Sequence, residues 1–149
     1  MENNNFEIRV RAVIEKEGKI LVCHHSKDQS KAGYYFLPGG HVEFGESSQD
    51  ALVRELNEEL DISIKGHSFI GAAENIFSQK GKIHHEVNLV FSVSADYVED
   101  KSKEDHIEFL FLSKEEFLKQ NVLPYSLRDA VIKWQEDKLP FLLTNKSEE

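Results

Sequence analysis

The amino-acid sequence predicts a layered domain of mixed α/β (α+β) class, a sheet with helices against its faces. Three features predict it. Two stretches, residues 6–25 and 62–98, read as strand pairs, each with a short glycine-bearing turn between its halves. Between them lies a stretch, residues 46–60, whose leucines recur at helical spacing. After one more strand-like run, residues 107–113, two further helical stretches follow.

In chain order, "FEIRVRAVIEKEGKILVCHH" opens with Phe6, Ile8 and Val10 alternating with charged residues. It turns at Gly18 and continues as an apolar run, so it reads as a hairpin. Residues 26–33 are a polar loop. "YYFLPGG" starts apolar and stops at Pro38, which pushes its predecessor toward extended geometry, and at two glycines that permit unusual backbone angles and close approach. A helix is expected over 46–60, with Ser47 or Ser48 as N-cap and Asp50 near the positive end of the helix dipole. Strands over 62–78 and 82–98 flank a turn made by Gly81. Residues 99–106 are a charged loop, 107–113 a strand, and 114–120 a short helix that Ser113 can cap. Residues 125–137 form a longer helix, with Leu127, Ala130, Val131 and Trp134 at helical spacing. Residues 144–149 are expected to be a frayed polar tail. With 149 residues and no repeats, the chain is expected to be one domain, 1–149, with its core over about 6–137.

Composition narrows the function classes. An apolar fraction of 40% with 30% charged residues is that of an ordinary globular chain rather than a disordered one. No apolar run approaches the ~18 residues of a membrane span, and no secretory signal is expected, so a cytoplasmic location is. The single cysteine, Cys23, precludes an intrachain disulfide and is expected to be buried and inert. A net charge of −9 argues against gripping a DNA duplex, which needs a broad basic surface. It leaves room for a small phosphorylated ligand held through a divalent cation.

The acidic helix is the informative segment. On a helical wheel Leu52, Val53, Leu56 and Leu60 form one arc, and Glu55, Glu58 and Glu59 form its neighbour. Glutamates at i,i+3 and i,i+4 repel mildly, and hard cations such as Mg²⁺ or Mn²⁺, which prefer carboxylate oxygens, would relieve them. Taken alone, the helix also suits a solvated charged face. The preceding loop adds a spacing to the helix. From Gly40, five residues lead to Glu46, and seven more lead to Arg54-Glu55. Then come Leu56, Asn57, Glu58-Glu59, Leu60, Asp61 and Ile62.

This pattern resembles the Nudix box. Asp61 stands where the family has a glycine that ends the helix in a left-handed conformation, so an altered helix end is expected rather than a lost metal site. The resemblance implies a Nudix-type α/β/α sandwich, a mixed sheet with flanking helices, over nearly the whole chain. It implies hydrolysis, with Mg²⁺ or Mn²⁺, of a pyrophosphate bond in a nucleoside diphosphate linked to another moiety. By motif position Glu55, Glu58, Glu59 and the Gly40 carbonyl are the metal ligands. Gly39 and Glu46 support them, and Arg54 orients the glutamates. Glu55 or Glu58 is the base. "IEFLFL" resembles the strand that carries a further metal-reaching glutamate in MutT-type members, which makes Glu108 a metal candidate; the alternative is an edge glutamate facing water. The resemblance also makes a homodimer possible.

Neither His24–His25 nor His84–His85 is a natural chelating pair, because neighbours on a strand point to opposite faces. One of each pair is a candidate for a substrate cleft or else a polar strand-end residue. Tyr35, His84 and His85 are the substrate-binding candidates. One of Tyr34, Tyr35 and Phe36 either stacks on a base or packs in the core. Glu74-Asn75 either contacts substrate or crosses to solvent. Besides the hydrolase, the pattern admits a non-catalytic nucleotide-binding or sensor module, whose sign would be loss of a box glutamate, and an RNA 5′-end pyrophosphohydrolase. The loops at 26–33, 77–85 and 99–106 are the segments that could shape specificity.

Overall fold

A computed structural model describes residues 4–147. The strands are β1 (Asn5–Lys16), β2 (Lys19–His25), β3 (Gly39–His41), β4 (Leu60–Gln79), β5 (Lys82–Ser102), β6 (Ile107–Ser113) and β7 (Phe141–Lys146). The α-helices are α1 (Ser48–Glu59), α2 (Lys114–Lys119) and α3 (Tyr125–Asp137). The sheet order is β6-β2-β1-β5-β4-β7, with β3 paired to β1. Pairing is mixed. β1 runs parallel to β5 and β4 parallel to β7, while the remaining ladders are antiparallel. Two cores sandwich the sheet. Leu52, Leu56 and Leu60 pack with Val10, Ala12 and Phe91 on one face. Phe117, Leu127 and Val131 of the other two helices pack with Val13, Val22 and Val90 on the opposite face. Burying each such leucine contributes roughly 1.5–3 kcal/mol.

Both expected glycine turns form, with positive φ at Glu17-Gly18 and at Lys80-Gly81. Two consecutive residues of that kind give the turn whose twist matches the flanking strands. Ser47 caps α1, its hydroxyl accepting from the Asp50 amide. Ser113 and Glu116 form a reciprocal capping box on α2.

Two expectations fail in detail. The tail is not frayed where it is described. Residues 141–146 add an edge strand beside β4, and the Phe141 ring lies so close over Gly71 that a methyl there would stand 2.6 Å from it. The last two residues of the expected tail lie outside the described residues. The loop expected at 99–106 begins later, because β5 continues to Ser102.

The end of α1 is altered, as Asp61 in place of the glycine predicts. Leu60 is already extended (φ −125°) and the chain enters β4 directly, with no left-handed residue at Asp61. Lys103 takes over the capping from another element. Its backbone amide donates to the Glu59 carbonyl and its ammonium to the Asn57 carbonyl, both at 2.8 Å. A cation at a helix C-terminus is also favourable to the dipole.

β1 and β2 stay paired only near their shared turn, at Glu15–Ile20 and Lys16–Lys19. Beyond it β2 pairs with β6, and residues 35–41 run between the two strands. That segment is tied to Cys23 through Phe36 and to Ala12 through the Pro38 carbonyl. This splaying opens the cleft described next.

Candidate active site

Arg54 organises the outer part of the site. Its guanidinium donates in a fork to Glu46 (2.8 and 2.9 Å), to Glu55 Oε1 (2.9 Å) and to the His41 carbonyl (3.0 Å), and lies 3.5 Å from Glu58. The fork holds the Glu46 carboxyl down at about 2, helped by the Glu43 amide. Glu46 thereby closes the loop that leads into α1. A Cβ at Gly40 would lie 2.6 Å from Glu55 Oε1, so a side chain there would push the Glu55 carboxylate out of place. At Gly39 (φ +150°) a Cβ would run into the Val10 carbonyl. The two glycines therefore let β3 lie flat between β1 and the Glu55 carboxylate.

Glu59 is different. The expected glutamate arc is split: Glu58 faces solvent, whereas Glu59 sits on the buried stripe with Leu52 and Leu56, only 8% exposed. Burial raises its carboxyl to about 8, and the neighbouring Glu55 and Glu104 carboxylates add to the rise; Arg11 opposes it. Arg11 beside it is half-buried. Its Nε donates to Asn88 Oδ1 (3.2 Å) and its Nη1 to the Leu37 carbonyl (3.0 Å).

A cleft of about 680 Å³ opens beside Glu59 and Gly39. Its floor is the β1/β5/β4 sheet face that carries Arg11, Arg9, Asn88, Glu86, His84 and Asn75. Tyr34, Phe36 and Tyr125 stand among its walls. His25 also lines it, edge-on to Phe36, with its imidazole pushed down to about 4 by burial and by Lys31 and Arg11. Cys23 is buried, and its thiol is pushed up to about 12 by that burial.

Arg54, Glu46, Glu55, Glu58, Glu59, Gly39 and Gly40 thus come together, and other expected residues do not join them. Glu108 pairs with His24 across β2–β6 and is exposed. Strand alternation puts its neighbours Ile107 and Phe109 on the α1 face, so Glu108 turns to the other face, away from the glutamates. Glu104, unnoticed in the sequence, is the carboxylate brought beside Glu59, because Lys103 docks its loop on the end of α1. Its signal was position alone, in a charged loop before β6. His84 faces the cleft, while His85 points to the opposite face and contacts Glu74 at 3.2 Å. Tyr35 packs against the α3-side core, and its neighbours Tyr34 and Phe36 line the cleft instead. Asn75 faces the cleft and Glu74 does not.

The donor set suits a hard divalent cation: carboxylate oxygens and a glycine carbonyl, one carboxylate being buried and short of positive charge. In the arrangement described, Arg54 engages Glu55 and Glu58, and among the described residues no three acidic, histidine or cysteine side chains stand at cation-binding distances.

The profile of the NUDIX domain matches residues 6–134. The chain belongs to the Nudix family. Among curated Nudix-type relatives, the CTP pyrophosphohydrolase of Escherichia coli K12 is 40% identical over 76 residues, 51% of this chain and 55% of that protein. The ADP-ribose pyrophosphatase of Methanocaldococcus jannaschii is 33% identical over 104 residues, 70% of this chain and 60% of that protein. The matched part of the chain thus spans a little over half the length of these relatives. Among solved structures, the MutT protein of Methanosarcina mazei Go1 superposes with a TM-score of 0.72 at 27% identity, covering 93% of this chain and 99% of that one. Nudix proteins generally use divalent cations and act on small nucleotide derivatives. Among the described residues no helix is long and apolar enough to cross a membrane.

Proposed function

We propose that this Nudix chain hydrolyses a pyrophosphate bond in a nucleoside diphosphate linked to another moiety, with Mg²⁺ or Mn²⁺ as cofactor. The observation that carries the reading is Glu59, a buried carboxylate crowded by Glu55 and Glu104 at the mouth of a ligand-sized cleft. Such a group is costly unless a cation joins it. Glu55, Glu58, Glu59 and the Gly40 carbonyl would hold the cation, with Glu104 in reach to assist. When bound, the cation screens charge developing on the phosphates and acidifies water.

The chain's own residues do the rest. Arg54 keeps the Glu55 carboxylate against Gly40 and is close enough to release or recapture Glu58. Glu55 or Glu58 takes the proton of the attacking water. The Arg11 guanidinium, half-buried on the cleft floor, lies where a phosphate oxygen can accept from it. Cleavage follows attack at phosphorus, with the P–O bond to the leaving phosphate breaking as the new one forms. The intact glutamate set supports this reading over a non-catalytic module.

The test is turnover of a panel of nucleoside triphosphates, sugar nucleotides, dinucleoside polyphosphates and 5′-triphosphorylated RNA with Mg²⁺, using Glu58→Gln as control. We expect a substrate whose turnover falls at least a hundredfold in Glu58→Gln, a loss typical of a group acting on the reacting atoms, while the variant keeps its fold by circular dichroism. Turnover that persists under thorough chelation would sink the metal assignment.

A further inference from the structure

We infer that Glu86 and Asn75 form a base-reading pair at the far end of the cleft, so the substrate's non-phosphate end is a nucleobase recognised through its edge. The inference rests on the proposed function, in which the Glu59–Arg11 end takes the diphosphate.

Glu86 of β5 and Asn75 of β4 are directly opposite in the antiparallel ladder, both on the cleft face. Such pairs stand about 5 Å apart at Cβ, adjacent enough to share one ring edge. The Glu86 side chain is only 16% exposed, yet no donor among the described residues makes a hydrogen bond to it. Arg9 Nε stands 3.4 Å from it in an ion pair that Arg9 shares with Glu7 at 3.0 Å, and the Arg11 guanidinium attracts it from the same sheet face. The ion pair offsets the charge of this half-buried carboxylate but leaves its oxygens without a hydrogen-bond donor, which a ligand can supply. Asn75 Oδ1 accepts from Asn145 at 3.1 Å, which leaves its Nδ2 to donate into the cleft. The pair therefore presents acceptors beside a donor. That is complementary to a ring N–H or amino group next to a carbonyl or ring nitrogen.

Placement agrees. Arg11 pairs with Val90 and Glu86 lies four positions earlier on β5, so the pair is roughly 13 Å along the strand from the diphosphate end. That is about the reach from a nucleotide's phosphates, across the ribose, to the far edge of its base. The stacked Phe77 and His84 rings (4.9 Å, 10°) lie one step further on, and Tyr34 and Phe36 offer apolar walls for a planar ring. A second carboxylate at this position also disfavours a further phosphate there. Guanine fits most completely, since its ring N–H and amino group can both donate to Glu86 while its carbonyl accepts from Asn75.

The test is isothermal titration of the full chain with GDP, ADP, CDP, UDP and inorganic pyrophosphate, with Ca²⁺ present, for wild type, Glu86→Gln and Asn75→Ala. The expected result is GDP binding at least about tenfold tighter than the weakest nucleotide. Each variant should erase that preference while pyrophosphate affinity stays within about twofold, and thermal unfolding confirms that the variants are folded. A wild type that does not discriminate among bases, or a preference that survives both substitutions, overturns the pair. Base-selective binding without any hydrolysis would overturn the hydrolase reading alone; hydrolysis without base selectivity would overturn only the base-reading pair.

Discussion

Arg54 and Arg11 both stand beside the carboxylates of α1, and they neutralise them in opposite ways. Arg54, at the rim, forks onto Glu46 and reaches Glu55, so charge there is balanced within the chain and Glu46 stays ionised down to about pH 2. Arg11, on the cleft floor, gives Nε to Asn88 and Nη1 to Leu37, and the burial of Glu59 outweighs the attraction between the two. The rim is organised before any cation arrives, whereas the interior is left short of positive charge. A cation site needs both: oriented ligands and a reason to bind.

The largest effect should come from removing the inner arginine. Arg11→Met leaves Asn88 Oδ1 and the Leu37 carbonyl without the donor they share, while Asn88 Nδ2 keeps the Ala73 carbonyl. Stability in urea unfolding should fall by about 2 kcal/mol, the loss expected for two acceptors left unsatisfied. A loss near zero would mean that Arg11 is not integral to the fold. Arg54→Lys should behave in reverse. Lysine cannot make the fork, so turnover should drop roughly 10–100-fold through misoriented ligands, while unfolding free energy changes by less than about 1 kcal/mol. Equal stability losses in the two variants would erase the contrast.

pH sharpens it further. Without cation, folded Glu59 keeps its proton until about pH 8, whereas the ordinary value is 4.5. Between those limits the native state binds more protons than the unfolded chain, so stability declines as pH rises. The metal-free melting temperature should therefore fall between about pH 5 and pH 8. Glu59→Gln should flatten that slope, and so should saturating divalent cation. A slope identical in Glu59→Gln would assign it elsewhere. The smallest effect belongs to Glu108→Gln: facing away from the glutamates, it should leave kcat/KM and cation affinity unchanged. A tenfold loss would return Glu108 to the site.

Much of this was legible in the sequence. The spacing from Gly40 to Glu59, the capping serines Ser47 and Ser113, and the turns at Gly18 and Gly81 are local, and local geometry made them readable. Glu104 went unnoticed, and the face taken by Glu108 stayed open, for the complementary reason. Which glutamate reaches α1 depends on which face of β6 meets the helix and on a loop docked by Lys103, and neither is encoded in nearest neighbours. β7 was missed because its polar end resembles a tail until Phe141 finds Gly71.

By itself, then, the sequence determined the chemical inventory of this protein: the carboxylates, their helical spacing and the glycines that admit them, all set within one short segment by 3.6-residue periodicity and backbone sterics. Only the tertiary structure decided which glutamate is buried, what caps the end of α1 in place of the missing glycine, and which face of β4 and β5 becomes the cleft floor. Burial and cross-strand neighbours come from packing segments far apart in the chain, and an amino acid's own type does not carry that information.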